Sequence, residues 1–454
     1  MSSLNALHLE SNSKFKINFH GGDLSSDAGL LLLNEFIHKI GLKPLVKQHF
    51  QTKDKTIRIH TDADNLLQKI YQQISGYFSD DDSDELTDDP VFTNILGKQA
   101  LASQPTMSRF FNRMDDVTLM QLDWILYLLR QRIYSIKRPE MVLLDIDSTL
   151  FDTFGKQEGS GYNYHYSNYG YHALMCYDGL TGDLLKAALR PGNVYSSTDC
   201  CEFLQPLLTE YQEDYPDVKL FLRADSGFAK PELFEQLESN GTSYAIRLKE
   251  NAILKEMAAY LDKELDELTA NNKVDYAVVY GEIHYAASSW SYPRRVVVKA
   301  EKPAGQLVYM HTFIVTNMYM KAEDIIHFYC NRGKMENFIK ESKRGFDMDT
   351  MPSYSMVINE NRLQISVLAY NIFNWFRRLV LPARMRKLQV DTIRLKLLKV
   401  AAKIVHSARY ITFKLCTDYQ AILTNGIIIS YFYFQDGNDI YQTPFRDITY
   451  QDSV

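Results

Sequence analysis

The sequence predicts an α/β protein, and three observations carry that expectation. Residues 1 to about 135 show apolar spacing of three and four, the period of amphipathic helices. Near residue 141 the texture changes to short apolar runs of strand length, two of which deliver an aspartate at or near their ends. Beyond residue 320 the helical period returns, and the chain turns strongly basic.

The chain has 454 residues, 46% of them hydrophobic and 23% charged. That is the balance of a globular protein of two to three domains, and it excludes disordered and collagen-like chains. Apolar runs such as Gly426 to Phe434 are far shorter than the ~20 residues of a membrane span. No basic stretch leads into an apolar one at the N-terminus, and five cysteines without a CxxC pair argue against a disulfide framework or a structural zinc site. A cytoplasmic protein is expected. The net charge of −6 is unlike a generic nucleic-acid binder. Its distribution differs, however. Arg377 to Lys414 contains eleven Lys/Arg against Asp391 alone, which leaves −16 for the rest of the chain. Seven of the ten residues Asp80 to Asp89 are acidic. Such segregation suggests a basic surface for a polyanion; the plain alternative is a solvated helix face.

In order along the chain, Asp27–Ile40 and Asp62–Tyr77 read as helices, each opened by an Asp suited to an N-cap. Ser103 to Arg109 follows as a short turn feeding a helix, a candidate helix-turn-helix reader with Ser108 and Arg109 as contacts. Met141 to Asp147 reads as a strand ending in carboxylates, with Asp145 and Asp147 on one face. Tyr162 to Tyr177 reads as a strand placing Tyr162, Tyr164 and Tyr166 on one face, and the turn 178–182 joins it to Leu184–Leu189. A helix over Thr198–Tyr211, a strand Val218–Asp225 and a helix from Pro231 follow. Residues 243–316 are rich in β-type runs. Then come a long helix, about Ala322 to Arg344, a helix Asn359–Leu381, the basic segment read as helical, and a β-rich tail Ile427–Phe434. The domain expectation is 1–135 helical, 136–350 catalytic and 351–454 C-terminal.

Chemistry concentrates on three acids. Asp147 and Asp225 each stand at the carboxyl end of an apolar strand, where sites form in open α/β sheets. Two close carboxylates repel unless one is protonated or a cation lies between them, and Mg²⁺ suits an all-oxygen site that keeps water. Glu336 is the third candidate, in Tyr329-Cys-Asn-Arg332-Gly-Lys-Met-Glu336-Asn-Phe-Ile-Lys340-Glu-Ser-Lys343. Arg332, Glu336, Lys340 and Lys343 form a stripe of one acid among three cations. An exposed helix laced with ion pairs is the structural alternative.

The intervals from Tyr329 through Arg332 and Glu336 to Lys343 are similar to the signature of the DDE-type bacterial insertion-sequence transposases, the cut-and-paste group with a Tyr-Arg-Glu-Lys motif. Asp147-Ser-Thr149 and Arg223-Ala-Asp225-Ser-Gly227 resemble that group's first and second acids, and Leu101 to Arg109 its pre-catalytic region. The resemblance implies an RNase H-like catalytic core interrupted by a β-rich insertion at about 243–316, with helical N-terminal and basic helical C-terminal regions. It implies that Asp147, Asp225 and Glu336 hold two Mg²⁺ ions, with Mn²⁺ able to substitute, about 3.5–4 Å apart for in-line attack on phosphorus. It also implies DNA-phosphate contacts by Tyr329, Arg332 and Lys343, with Lys340 as an added one. The partners implied are double-stranded DNA, both terminal inverted repeats and target, and a second copy in a synaptic homodimer. The group's hairpin route points to Trp290 as a stacking platform; packing in the insertion's own core is the alternative. Two further readings stay open. Asp145-Ile-Asp147-Ser-Thr149 also fits a haloacid-dehalogenase-type phosphatase with Asp145 as nucleophile, and a transposase-derived DNA binder without catalysis has the same sequence features.

Overall fold

The computed structural model describes residues 7–416 apart from 19, 55, 271–273, 275, 304–305 and 307, so the expected tail at 427–434 lies outside the described residues. The chain forms two compact units. One holds 7–138, 345–347 and 364–416; the other holds 139–344 and 348–363.

The first unit opens with β1 (Leu7–Leu9), β2 (Asn12–Ile17) and β3 (Leu24–Ser25). Helices α1 (Leu30–Lys39), α2 (Leu42–His49) and α3 (Asp62–Ser75) follow. Next are α4 (Asp82–Glu85), α5 (Pro90–Leu96), α6 (Gln104–Phe111) and α7 (Asp116–Ile136). The expected helices are present, but their Asp caps are displaced. Thr61, not Asp62, caps α3, through a capping box with Asp64. Asp27 is buried instead, where it accepts from Lys399 Nζ at 2.7 Å and the Tyr77 hydroxyl at 2.8 Å. The acidic block is largely structural. Asp80 pairs with buried Lys69 at 2.9 Å, Asp84 accepts from the Gln104 N–H and Asp89 caps α5.

The second unit contains β4 (Met141–Asp152), β5 (Gly161–Asn163), β6 (Asn168–Asp178), β7 (Leu184–Ala188) and α8 (Cys200–Asp214). It continues with β8 (Lys219–Ala224), α9 (Pro231–Ser239), β9 (Ser243–Leu248) and α10 (Ala252–Thr269). Strands β10 (Tyr276–Tyr285), β11 (Arg294–Pro303) and β12 (Met310–Thr316) follow, then α11 (Ala322–Cys330) and α12 (Gly333–Phe346). One nine-stranded sheet runs β10-β11-β12-β9-β8-β4-β6-β5, with β7 also on β6. Among the described residues, only β4, β8 and β9 pair in parallel. The segment 243–316 is therefore not a separate β body. Its strands continue the same sheet beyond β9, and α10 interrupts it with Leu254, Ala258, Leu261 and Leu265 buried at helical spacing.

Two strand expectations need correction. Asp147 does not end its strand, because β4 stays paired with β6 as far as Asp152 after its parallel ladder with β8 has stopped at Asp145. Tyr164 and Tyr166 are not on a strand face. They lie in the tip between β5 and β6, where Asn163 Oδ1 accepts the N–H groups of His165 and Tyr166 and Ser167 takes a left-handed φ of 53°.

The chain then returns to the first unit through α13 (Met356–Leu379), α14 (Ala383–Arg386), α15 (Val390–Ile393), a π-helical turn at Arg394–Leu398, β13 (Ala402–His406) and β14 (Ile411–Leu415). The basic segment is thus only partly helical. Its last third alternates buried Ala402 and Ile404 with exposed Lys403, the period of a strand, and β13 pairs with β14 and β3. Residues 364–416 share the first unit with 7–138. The Ala28 and Gly29 N–H groups donate to the Val400 and Leu398 carbonyls, and a Cβ on Gly29 would stand 1.7 Å from the Leu397 oxygen.

Candidate active site

The site sits where β8 ends beside β4. Beyond the Asp145–Arg223 pair the parallel ladder stops, leaving one edge of β4 without a strand partner. Three carbonyls spaced by two residues along that edge find side-chain donors instead. Arg332 Nη2 donates to the Ile146 oxygen at 3.1 Å, the Tyr166 hydroxyl to the Ser148 oxygen at 3.1 Å, and Lys343 Nζ to the Leu150 oxygen at 2.6 Å.

Asp147 projects beside this edge. Its Oδ2 lies 3.0 Å from Arg332 Nη2 and its Oδ1 accepts from the Ser148 N–H at 2.9 Å. Burial raises the Asp147 pKa above the usual carboxylate range, Arg332 works to lower it, and the charge of Asp225 pushes it up again. Asp225 follows β8 directly. Its Oδ1 accepts from the Gly227 N–H at 2.9 Å, and a Cβ at Gly227 would meet that oxygen at 3.0 Å. Asp225 lies close enough for its charge to act on Asp147, and Arg332 is the cation paired with Asp147. Burial opposes the Arg332 charge, but Asp147, Tyr329, Asp225 and Asp145 outweigh it and hold its pKa above the ordinary value. Its Nε is buried without a hydrogen-bond partner.

Asp145 is a different group. It is fully buried and gripped bidentately by Arg223, Nε to Oδ1 at 2.7 Å and Nη2 to Oδ2 at 2.6 Å. Arg223 Nη1 donates in turn to the Phe328 carbonyl at 2.6 Å, tying β8 to the end of α11. Gly179 is required here, since a Cβ would lie 2.2 Å from Asp145 Oδ2. A carboxylate so enclosed is poorly placed to act as a nucleophile, and the phosphatase reading is not favoured. Arg223 is a residue the sequence reading passed over. Its signal is the spacing of two before Asp225, which puts it in register with Asp145 on the neighbouring strand.

The long helix expected at 322–344 is broken at Asn331-Arg332, between α11 and α12. Gly333 at the break and the inward turn of Arg332 separate the expected stripe. Glu336 stands on the outer side of α12, 68% exposed, with Lys340 Nζ 3.6 Å away across one helical turn. It is not brought to the two aspartates, and among the described residues no group of three His, Cys, Asp or Glu side chains could hold a metal ion. The donor set as arranged is two carboxylates and a guanidinium, which does not fit a three-carboxylate metal site.

Of the remaining expected residues, Tyr329 and Lys343 stay near the site, Tyr329 close enough to feel the charges of Arg332, Asp225 and Asp147 and Lys343 on the same β4 edge. Tyr329 is half-buried against Ile325, Ile326 and their neighbours, and burial raises its hydroxyl pKa. Lys343 is turned onto β4 and over the Phe151 ring, and burial lowers its pKa. Trp290 lies edge-on to Phe234 and Tyr285 at 5.2 and 5.4 Å, with the Arg294 guanidinium 5.6 Å from its ring, inside an aromatic cluster. Arg109 is exposed near the end of α6, bonded to Thr106 at 3.2 Å. Residues 97–103 separate α5 from α6, longer than a helix-turn-helix turn.

Fold and site together define a mixed α/β protein with an aspartate pair and an arginine at the open end of a parallel ladder. The profile described as transposase DDE domain group 1 matches residues 7–426, and the chain belongs to that family. Among solved structures, a piggyBac transposase synaptic complex with hairpin DNA, determined by cryo-electron microscopy, is similar over 82% of this chain and 80% of that chain. The identity is 13% and the TM-score 0.40. No curated protein matches the chain. Among the described residues, no helix is long and apolar enough to cross a membrane.

Proposed function

We propose that this chain is a bacterial DNA transposase that binds the terminal inverted repeats of its own insertion sequence and catalyses strand cleavage and strand transfer, cut-and-paste through a hairpin. The observation that carries the reading is the coupling of Asp147 to Asp225 in a chain whose family match runs almost end to end. The five strands β7-β6-β4-β8-β9 read as an RNase H-like core, with Asp147 on its first strand in chain order and Asp225 just beyond β8.

In this reading the chain's own residues position a phosphodiester. Arg332 pairs with Asp147 and is the phosphate contact of this reading. Lys340 and Arg109, both exposed, are phosphate contacts away from the acids. Arg223 positions rather than contacts, since it fixes both Asp145 and the end of α11. Two Mg²⁺ ions, or Mn²⁺, remain the proposed cofactor, with Asp147, Asp225 and Glu336 as ligands. Glu336 does not face the other two in this arrangement.

The test is nicking of a labelled duplex bearing the inverted repeats that flank the gene, with and without Mg²⁺. Wild type should cut at the repeat boundary, while Asp147→Asn and Asp225→Asn should each lose at least about 100-fold in rate and still bind. Tight binding without cutting by the wild type would instead identify a DNA-binding descendant that has lost its chemistry. Binding to a second copy is checked on the same repeats by mass photometry, where a synaptic complex appears as two chains on two ends.

A further inference from the structure

At the β5–β6 tip lies an aromatic surface that the fold does not use. Tyr164 is 88% exposed, Tyr169 59% and Tyr166 40%. Tyr162 makes edge-to-face contacts with Tyr164 at 5.1 Å and Tyr169 at 5.2 Å, which orders both rings while leaving most of their surface in solvent. The tip that carries them is built, not loose. Buried Asn163 accepts from the His165 and Tyr166 N–H groups through Oδ1 and donates through Nδ2 to the Gly192 carbonyl at 2.9 Å. A Cβ on Gly161 would come within 3.1 Å of the Asn193 nitrogen, so β5 lies close against that loop.

The position of this tip links it to the chemistry. The Tyr166 hydroxyl bonds to the Ser148 carbonyl, one residue from Asp147. On the Asp225 side, Ser196 packs 3.2 Å from the Gly227 Cβ position, and its neighbour Tyr195 is 61% exposed with Lys230 Nζ 5.6 Å from the ring centre. Tyr166 thus connects the tip to the acids, whose charges act on its hydroxyl.

We propose that the β5–β6 tip is a binding platform for the unpaired bases of a DNA strand whose phosphate lies at Asp147 and Asp225. The proposal rests on the transposase reading and adds to it that the site takes a locally single-stranded substrate. Every base has a π face, so stacking on tyrosine holds a strand without reading its sequence, and a cation over a flanking ring serves the adjacent phosphate. A second copy of the chain as occupant would need an apolar patch continuous with the rings. Here the tip is polar between them, at His165, Ser167 and Asn168.

The experiment compares binding of a fluorescein-labelled dT20 strand and a blunt 20-base-pair duplex by wild type, Tyr164→Ala, Tyr169→Ala and Tyr164→Phe. Melting temperatures establish that the variants are folded, as the exposure of both side chains leads us to expect. Each Ala variant should weaken dT20 binding roughly 5- to 150-fold and leave the duplex within a factor of about two, while Tyr164→Phe should bind dT20 like wild type. Unchanged dT20 binding, an equal loss on the duplex, or loss in Tyr164→Phe as well would overturn the platform. Those outcomes leave the transposase reading standing if wild type still nicks its repeats. Wild type that binds neither DNA would end both.

Discussion

Arg332, at the α11–α12 break, lies between Asp147 and the open edge of β4, bonded to both. Removing it leaves Asp147 beside the charge of Asp225 without its paired cation. Arg332→Ala should therefore cost about 2 kcal/mol of stability, less than for a fully buried pair because both partners keep some contact with water. Millimolar Mg²⁺ should restore part of that loss if the pair accepts the ion. Equal melting temperatures with and without the cation would show that the aspartates do not take the ion. The two aspartates were legible in the sequence because each closes an apolar run. The distance of Glu336 from them was not, since residue spacing assumes a continuous helix and Gly333 lies where it breaks.

The elements most easily misread were those whose ends are set by a neighbour. The extension of β4 beyond Asp147 depends on β6, and no property of residues 148–152 alone announces it. The β6–β7 turn was legible, because Asp178-Gly-Leu-Thr-Gly182 carries its own turn chemistry. It also stores a cost. Asp178 accepts from the Leu143 and Leu180 N–H groups and from the Thr181 hydroxyl, yet burial pushes its pKa up to about 6 from 3.8, with nearby Asp183 adding to the rise. Between roughly pH 4 and 6 the native state then holds a proton that the unfolded chain has released, so stability falls as pH rises through that window. Asp178→Asn keeps two accepted bonds on one oxygen and removes the charge. Its gain over wild type should be near zero at pH 4 and up to about 3 kcal/mol at pH 8, read from urea denaturation at the two pH values. A gain that is the same at both would rule out ionisation as the cause.

At the scale of the whole molecule, the C-terminal basic segment contributes to structure as well as to charge. Arg394 is buried and donates to the Ile74 and Gln73 carbonyls, and Lys399 meets the buried Asp27. Lys399→Met should cost about 2 kcal/mol by leaving Asp27 without its cation. Exposed Lys403, in contrast, should be replaceable by Gln with no change in melting temperature. If both substitutions are neutral, the Asp27 pair contributes nothing to the first unit.

The hydrogen bonds from Ala28 and Gly29 to Val400 and Leu398 set an order of events during synthesis. At roughly 5–20 residues per second, tens of seconds separate the emergence of residue 29 from that of residue 400. The strands from β4 to β12 can pair within that interval, whereas the α1 entry waits for its partner near the end of the chain. A nascent chain halted before residue 398 should therefore carry a protease-resistant sheet and protease-sensitive first helices.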